Sequence, residues 1–209
     1  VNPAGTKVYV ADTGDGTVSI IDAINNTIAG PPMSGGGNPS GLAINPAGTR
    51  LYTANGAGGT VSVYNTITEA IVVLPIAVGT VAWGAVTNPT GTRLYVSTDT
   101  DGTVVVIDID PASPNNNTVT DTITVGAGAR GAALHAAGNT LYVANFDDGT
   151  VSVIDTATNT VSSTVTVGGG ATGVAVDPVT GAVYVTDRAD DTVSVIGSSG
   201  PSIDGDPGT

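Results

Sequence analysis

The chain has 209 residues, of which 40% are apolar and 11% charged, with 30 Gly, no Cys and a formal net charge of −13. The missing cysteine excludes disulfides and thiolate metal sites. The acidic balance argues against nucleic acid and against insertion into an anionic membrane, because both select for Lys and Arg. The chain starts at Val1 without Met and shows no leader, which reads as a processed or trimmed chain. Its acidic, Lys-poor composition suits a secreted or cell-surface protein.

The apolar residues are mostly Val, Ala and Ile, interleaved with Gly, Asn, Asp and Thr. β-branched residues fit a pleated surface and the others fit turns, so the composition predicts many short strands. Along the chain, one unit recurs. The segments KVYVAD, RLYTAN, RLYVST, TLYVAN and AVYVTD place Tyr9, Tyr52, Tyr95, Tyr142 and Tyr184 at spacings of 43, 43, 47 and 42. Eight residues after each tyrosine stands Thr17, Thr60, Thr103, Thr150 or Thr192, always followed by Val. Five further on stands Asp22, Asn65, Asp108, Asp155 or Gly197, and seven before each tyrosine stands Asn2, Asn45, Asn88, His135 or Asp177. The units start near residues 1, 41, 84, 131 and 173.

Each unit reads as four strands, A to D. In the fourth unit strand B is expected at Leu141–Ala144, C at Val151–Ile154 and D at Val161–Val167, with the next strand A at Gly173–Val176. Four short antiparallel strands recurring near 43 residues is the spacing of propeller blades. The spacing of 47 comes from Asp110–Asn117 (DPASPNNN), which lengthens one C–D turn by five residues; surface turns tolerate this at small entropic cost. The expected fold is all-β: a β-propeller of about five four-stranded antiparallel blades over residues 1–197, with residues 198–209 as a flexible linker. The first blade lacks strand A and the last lacks strand D. Three readings of the ring stay open: an arc of a larger propeller, an arc completed by another chain, and a closed five-bladed ring.

The phrases DGTVSVIDTATNTV, GVAVDPVTGAVYVTD and NPAGTRLYTAN resemble YVTN-type β-propeller repeats. The resemblance covers essentially residues 1–197. It implies a seven-bladed relative and a secreted or surface-layer protein of a bacterium or archaeon. The same repeat also occurs in lactonase-like enzymes and electron-transfer proteins, so it does not settle function.

A repeat separates scaffold from candidate site, because recurring residues serve the fold. Lys7, Arg50 and Arg93 share one position before strand B and read as turn residues. The repeated tyrosines read as packing between blades. His135, the single histidine, sits in an A–B turn and reads as a turn residue rather than a catalytic one. Residues that break the pattern gather on the D–A and B–C loops. Trp83 and Arg130 stand where strand A begins. Phe146, Arg188 and nine of the 18 acidic residues stand on B–C loops. Trp83, Arg130, Phe146 and Arg188 are the expected binding face for a protein or glycan, since exposed aromatics and Arg dominate contact hot spots. Asp12, Asp15, Asp99 and Asp101 resemble fragments of calcium loops, but the full D-x-[DN]-x-[DN]-G-x₅-E pattern is missing. Turn chemistry explains these Asp equally well.

No nucleophile elbow, phosphate loop or dinucleotide fingerprint occurs. The single Glu, Glu69, lies in a C–D turn away from the candidate face. Asn25 and Asn116 open N-glycosylation triplets. The expected function is therefore a non-catalytic extracellular or cell-surface scaffold, adhesion or protein-interaction module, without a cofactor. Open blade edges offer it a route to self-association. The alternatives are a fragment of a lactonase-like or redox-associated enzyme with its catalytic residues elsewhere, and a Ca²⁺-binding face.

Overall fold

The computed structural model describes residues 1–34, 36–197 and 200–202. Five antiparallel sheets follow one another along the chain, as the repeat predicts, and the protein is a β-propeller. The first sheet holds β1 (Lys7–Asp12), β2 (Thr17–Asp22) and β3 (Thr27–Ile28). The second holds β4 (Pro39–Ile44), β5 (Arg50–Asn55), β6 (Thr60–Asn65) and β7 (Ile71–Ala77). The third holds β8 (Ala82–Thr87), β9 (Arg93–Thr98), β10 (Thr103–Asp108) and β11 (Thr118–Thr124). The fourth holds β12 (Ala129–Leu134), β13 (Thr140–Asn145), β14 (Thr150–Asp155) and β15 (Thr160–Thr166). The last holds β16 (Ala171–Val176), β17 (Val183–Asp187), β18 (Thr192–Gly197) and β19 (Gly200–Ser202).

One end departs from expectation. The first blade lacks strand A, as read from the repeat phase, but the last blade has a fourth strand. β19 pairs with β18 through Gly197↔Gly200, Ile196↔Pro201 and Val195↔Ser202. The segment GPS has no apolar alternation to announce it, and Gly200 and Pro201 argue against a strand. Residues 198, 199 and 203–209 of the expected linker lie outside the described residues.

Two compact units make up the chain: Val1–Val96 with Val105–Thr120, and Ser97–Val104 with Asp121–Thr209. In the first, Tyr52, Leu94, Val61, Val63, Ile107 and Ile109 share one buried cluster, and Tyr9, Ile20, Leu51 and Tyr64 another. In the second, Ala144, Val151, Ala171, Val183 and Val185 are buried together, with Tyr142 packed against them. Tyr9, Tyr52 and Tyr142 thus pack as expected, Tyr95 is buried, and Tyr184 departs from the pattern at 44% exposed.

The repeat signature has a local physical cause at each turn. B–C hairpins such as β13–β14 run from Thr140↔Asp155 to Asn145↔Thr150. The residue before the recurring Thr is left-handed in every blade: Gly16, Gly59, Gly102, Gly149 and, at φ 55, Asp191. Gly adopts this without steric cost, and Asp is among the residues that tolerate it. In the A–B turns the Asn side chain replaces missing backbone pairing. Asn45 Oδ1 accepts from Thr49 N at 2.9 Å and Arg50 N at 3.0 Å, and Asn2 and Asn88 repeat the pattern. In the C–D turns Asp22, Asn65 and Asp155 accept from the amides two and three residues on.

Candidate functional site

Strand A opens on a β-bulge in the second, fourth and fifth blades, at Pro39/Gly41, Ala129/Ala132 and Ala171/Gly173. Ser40, Arg130 and Thr172 therefore lie inside strand A rather than just before it, at a distortion that re-aims the side chain. The glycine that follows is required by close approach. A Cβ on Gly41 would strike the Trp83 carbonyl oxygen and on Gly131 that of Thr172. In both pairs the A strands meet backbone to backbone, and the bulge residue Ser40 reaches across the contact, its Oγ donating to Ala82 O at 2.8 Å and Trp83 O at 3.0 Å.

Arg130 shows what the bulge does. Its Nε donates to Asp99 Oδ2 at 3.0 Å, from the third blade's B–C loop. Its guanidinium carbon lies 3.5 Å from the centre of the Phe146 ring, from the fourth blade's B–C loop. Ser97 Oγ donates to the Arg130 carbonyl. The Arg130 and Asp99 side chains are each only 16% exposed. An ion pair and a cation–π contact in one partly dehydrated spot reinforce each other. The ring's Cε2 also lies beside Gly170 of the next D–A loop. The guanidinium thus staples two B–C loops, and the Phe146 ring extends the contact to the next D–A loop.

The acidic B–C loops have comparable duties. Asp148 Oδ2 accepts from Ala127 N at 2.8 Å, while Phe146 N donates to Gly128 O at 2.8 Å. One blade on, Asp190 Oδ2 accepts from Gly169 N at 2.6 Å and Arg188 N donates to Gly170 O at 3.1 Å. The glycine pairs of the D–A loops are therefore docking strips for B–C loops. At the end of strand B a second device recurs. Asn145 Nδ2 donates to Thr150 Oγ1 and Ser152 Oγ, both at 2.9 Å, and Asn55 does the same with Thr60 and Ser62. Asp12 and Asp187 accept from Ser19 Oγ at 2.5 Å and Ser194 Oγ at 2.6 Å. Sequence reasoning missed this latch because Asp, Asn and Thr alternate at its key position, whose role shows only with its Thr-x-Ser partner.

Of the expected binding face, the structure brings Arg130 and Phe146 together, with Asp99, a calcium candidate, paired to the same guanidinium. Arg188 is exposed on the neighbouring loop, and half-buried Trp83 stands in the other unit. Of the calcium candidates, Asp12 and Asp99 are engaged as described, Asp15 is exposed, and Asp101 is exposed but also has an interaction of its own. Among the described residues no group of three or more His, Cys, Asp or Glu could hold a metal ion. His135 lies in an A–B turn, where its Nδ1 accepts from Ala137 N at 3.2 Å. Glu69 Oε1 pairs with Lys7 Nζ at 3.1 Å.

A family model described as "Lactonase, 7-bladed beta-propeller" matches residues 74–195. No curated protein sequence matches the chain. Among solved structures, Kuenenia stuttgartiensis hydrazine synthase superposes with a TM-score of 0.83 at 20% identity, over 95% of this chain and 61% of that one. The Cps50 (Swd1) β-propeller domain of Myceliophteria thermophila gives 0.74 at 17% identity, over 93% of this chain and 62% of that one. At such identities the likeness concerns the fold. The chain spans about three fifths of the length of each structure.

Proposed function

The chain belongs to the lactonase, seven-bladed β-propeller family, and from that premise we propose that these blades are a non-catalytic part of it, a scaffold and interaction module of an extracellular or cell-surface protein. The observation that carries this reading is the Arg130 staple. A catalytic arginine on the B–C and D–A loops would present its guanidinium to a substrate. Here Asp99 neutralises it and Phe146 covers it. Arg188 is the exposed cation on the same set of loops and the residue offered to a protein or glycan partner. The acidic, Lys-poor chain supports the extracellular setting, and the recurring Tyr-Val and Asp-Gly-Thr-Val phrases support the finer relation to YVTN-type repeats.

Family membership favours a second reading, in which lactone hydrolysis is carried by residues outside this chain. A pH-stat assay with five- and six-membered lactones decides between them, run on this chain and on the protein from its extended reading frame. No turnover above buffer is expected from either. Turnover by the extended protein that survives Arg130→Met would establish the second reading, and turnover lost with Arg130→Met and kept in a stably folded Arg130→Lys would make the staple itself part of an active site.

A further inference from the structure

The one insertion in the repeat builds a cavity. It lies within the first unit, at the A–B and C–D turns of its blades. Its volume is about 200 Å³. Val63, Val73 and Ile109 give it an apolar floor, and Arg50, Tyr52 and Asn117 supply polar groups. Pro111, from the inserted DPASPNNN segment, forms part of the wall. A C–D turn of ordinary length would lack that residue, so the pocket belongs to this blade pair and not to the repeat in general.

Two of its polar groups keep hydrogen-bonding capacity for a ligand. Arg50 shares its repeat position with Lys7, but Lys7 has Glu69 while Arg50 has no carboxylate within ion-pair distance among the described residues. Its Nη1 donates to Thr49 O at 3.0 Å. The Tyr52 side chain is 2% exposed, and its phenol has no hydrogen-bond partner among the described residues. Burial pushes that phenol up to about 12, so it stays a neutral donor. In a chain of net charge −13, an arginine without a carboxylate partner beside a phenol donor over an aliphatic floor suits an anion with an apolar body.

We propose that this cavity binds a small organic carboxylate with a short branched aliphatic chain, its carboxylate on Arg50 and Tyr52 and its chain on Val63, Val73 and Ile109. The cavity is smaller than the usual 300–1,000 Å³ of drug-sized sites, so the ligand has fewer than about ten heavy atoms and binds at about millimolar strength. The proposal is independent of whether the Arg130 loops are catalytic.

The test is a titration of the full chain with 4-methylpentanoate, followed by NMR. The neutral 4-methylpentanamide tests the charge and acetate tests the chain. Saturable shifts are expected at the Arg50 Nε–H and the Val63 and Val73 methyls, with the amide and acetate each at least tenfold weaker. Arg50→Met should weaken binding at least tenfold. Deleting Asp110–Pro114 restores an ordinary C–D turn, keeps Asn117 and should abolish binding while unfolding remains cooperative. If Arg50→Met does not fold, the deletion decides alone. No saturable shift up to about 20 mM, amide binding as tight as the carboxylate, or full binding by the deletion variant would overturn the proposal.

Discussion

Asp187 is 1% exposed, its Oδ2 accepts from Ser194 Oγ at 2.6 Å, and its Oδ1 is unpartnered. At the same position Asn145 donates to its Thr and Ser instead. A buried carboxylate with one idle oxygen costs more than an amide with one idle oxygen. Asp187→Asn should therefore raise stability by about 1 kcal/mol, whereas Asp187→Ala, which strands Ser194, should lower it by about 1–3 kcal/mol. Urea unfolding of both variants checks the opposite signs. Glu69 offers a second conflict. It is left-handed at φ 58, where other C–D turns use Asn26, Asn117 and Asn159. That conformation costs a non-glycine residue about 1–2 kcal/mol, less for Asn, while a half-exposed ion pair such as Lys7–Glu69 returns about 0.5 kcal/mol. Glu69→Asn should come out slightly more stable. The gain should grow with salt, because salt weakens only the wild-type pair, and melts at low and high NaCl read it directly. A smaller gain at high salt would contradict this account.

Among the elements, strand A and the C–D turns carry separable costs. Alanine at Gly41 or Gly131 would drive a methyl into the backbone of the next blade's strand A, at Trp83 or Thr172. Backbone cannot rotate aside as a side chain can, so each substitution should cost about 1–3 kcal/mol. Gly14, with open space around its Cβ position, serves as the neutral control in the same denaturant series. The C–D turn of Asp22 and the A–B turn of Asp177 set a pH dependence. Hydrogen bonds from Asn25 and Ile24 hold Asp22 below its ordinary 3.8, and those from Thr180 and Val179 do so for Asp177. A carboxylate depressed in the fold stabilises it above the unfolded value, and that stabilisation is lost as pH falls through the folded one. Stability should thus fall on acidification below about pH 4, and Asp22→Asn with Asp177→Asn should flatten that fall without removing the turns, since Asn65 already does the same work. These elements also show what sequence makes legible. The Tyr, Thr-Val and Asp register exposes strands B and C and their turns because each position answers a local demand repeated in every blade. β19 escapes because its pairing is dictated by the neighbouring edge of β18 and not by its own residues. The Arg130 staple escapes because its partners sit on two different loops, at positions where no other blade has the same residue. Arg50 escapes for the opposite reason: it occupies a recurring position, and only the insertion in the next blade changes its surroundings.

At the scale of the whole molecule, charge is the dominant unbalanced quantity. Five basic residues face 18 acidic ones, and Lys7 and Arg130 are paired with Glu69 and Asp99. Self-repulsion at this net charge opposes compaction, and added salt relieves it. The melting temperature should therefore rise with NaCl over the range in which the Debye length shrinks from about 30 Å to about 8 Å. Screening and specific cation binding differ in their concentration dependence. The carboxylates that resembled calcium loops are in part committed, Asp12 to Ser19 and Asp99 to Arg130. Asp148 and Asp190 hold backbone amides of the D–A loops. A divalent ion would have to displace these bonds before gaining its own six to eight oxygens. CaCl₂ and NaCl at equal ionic strength should consequently raise the melting temperature to a similar degree, with Ca²⁺ ahead only by the stronger screening of a divalent ion. A saturable Ca²⁺ increment at micromolar concentration, where screening is unchanged, would instead reveal a site that binds the folded chain alone. Repeating the measurement with Asp15→Asn and Asp101→Asn would then locate it on the first or the third B–C loop.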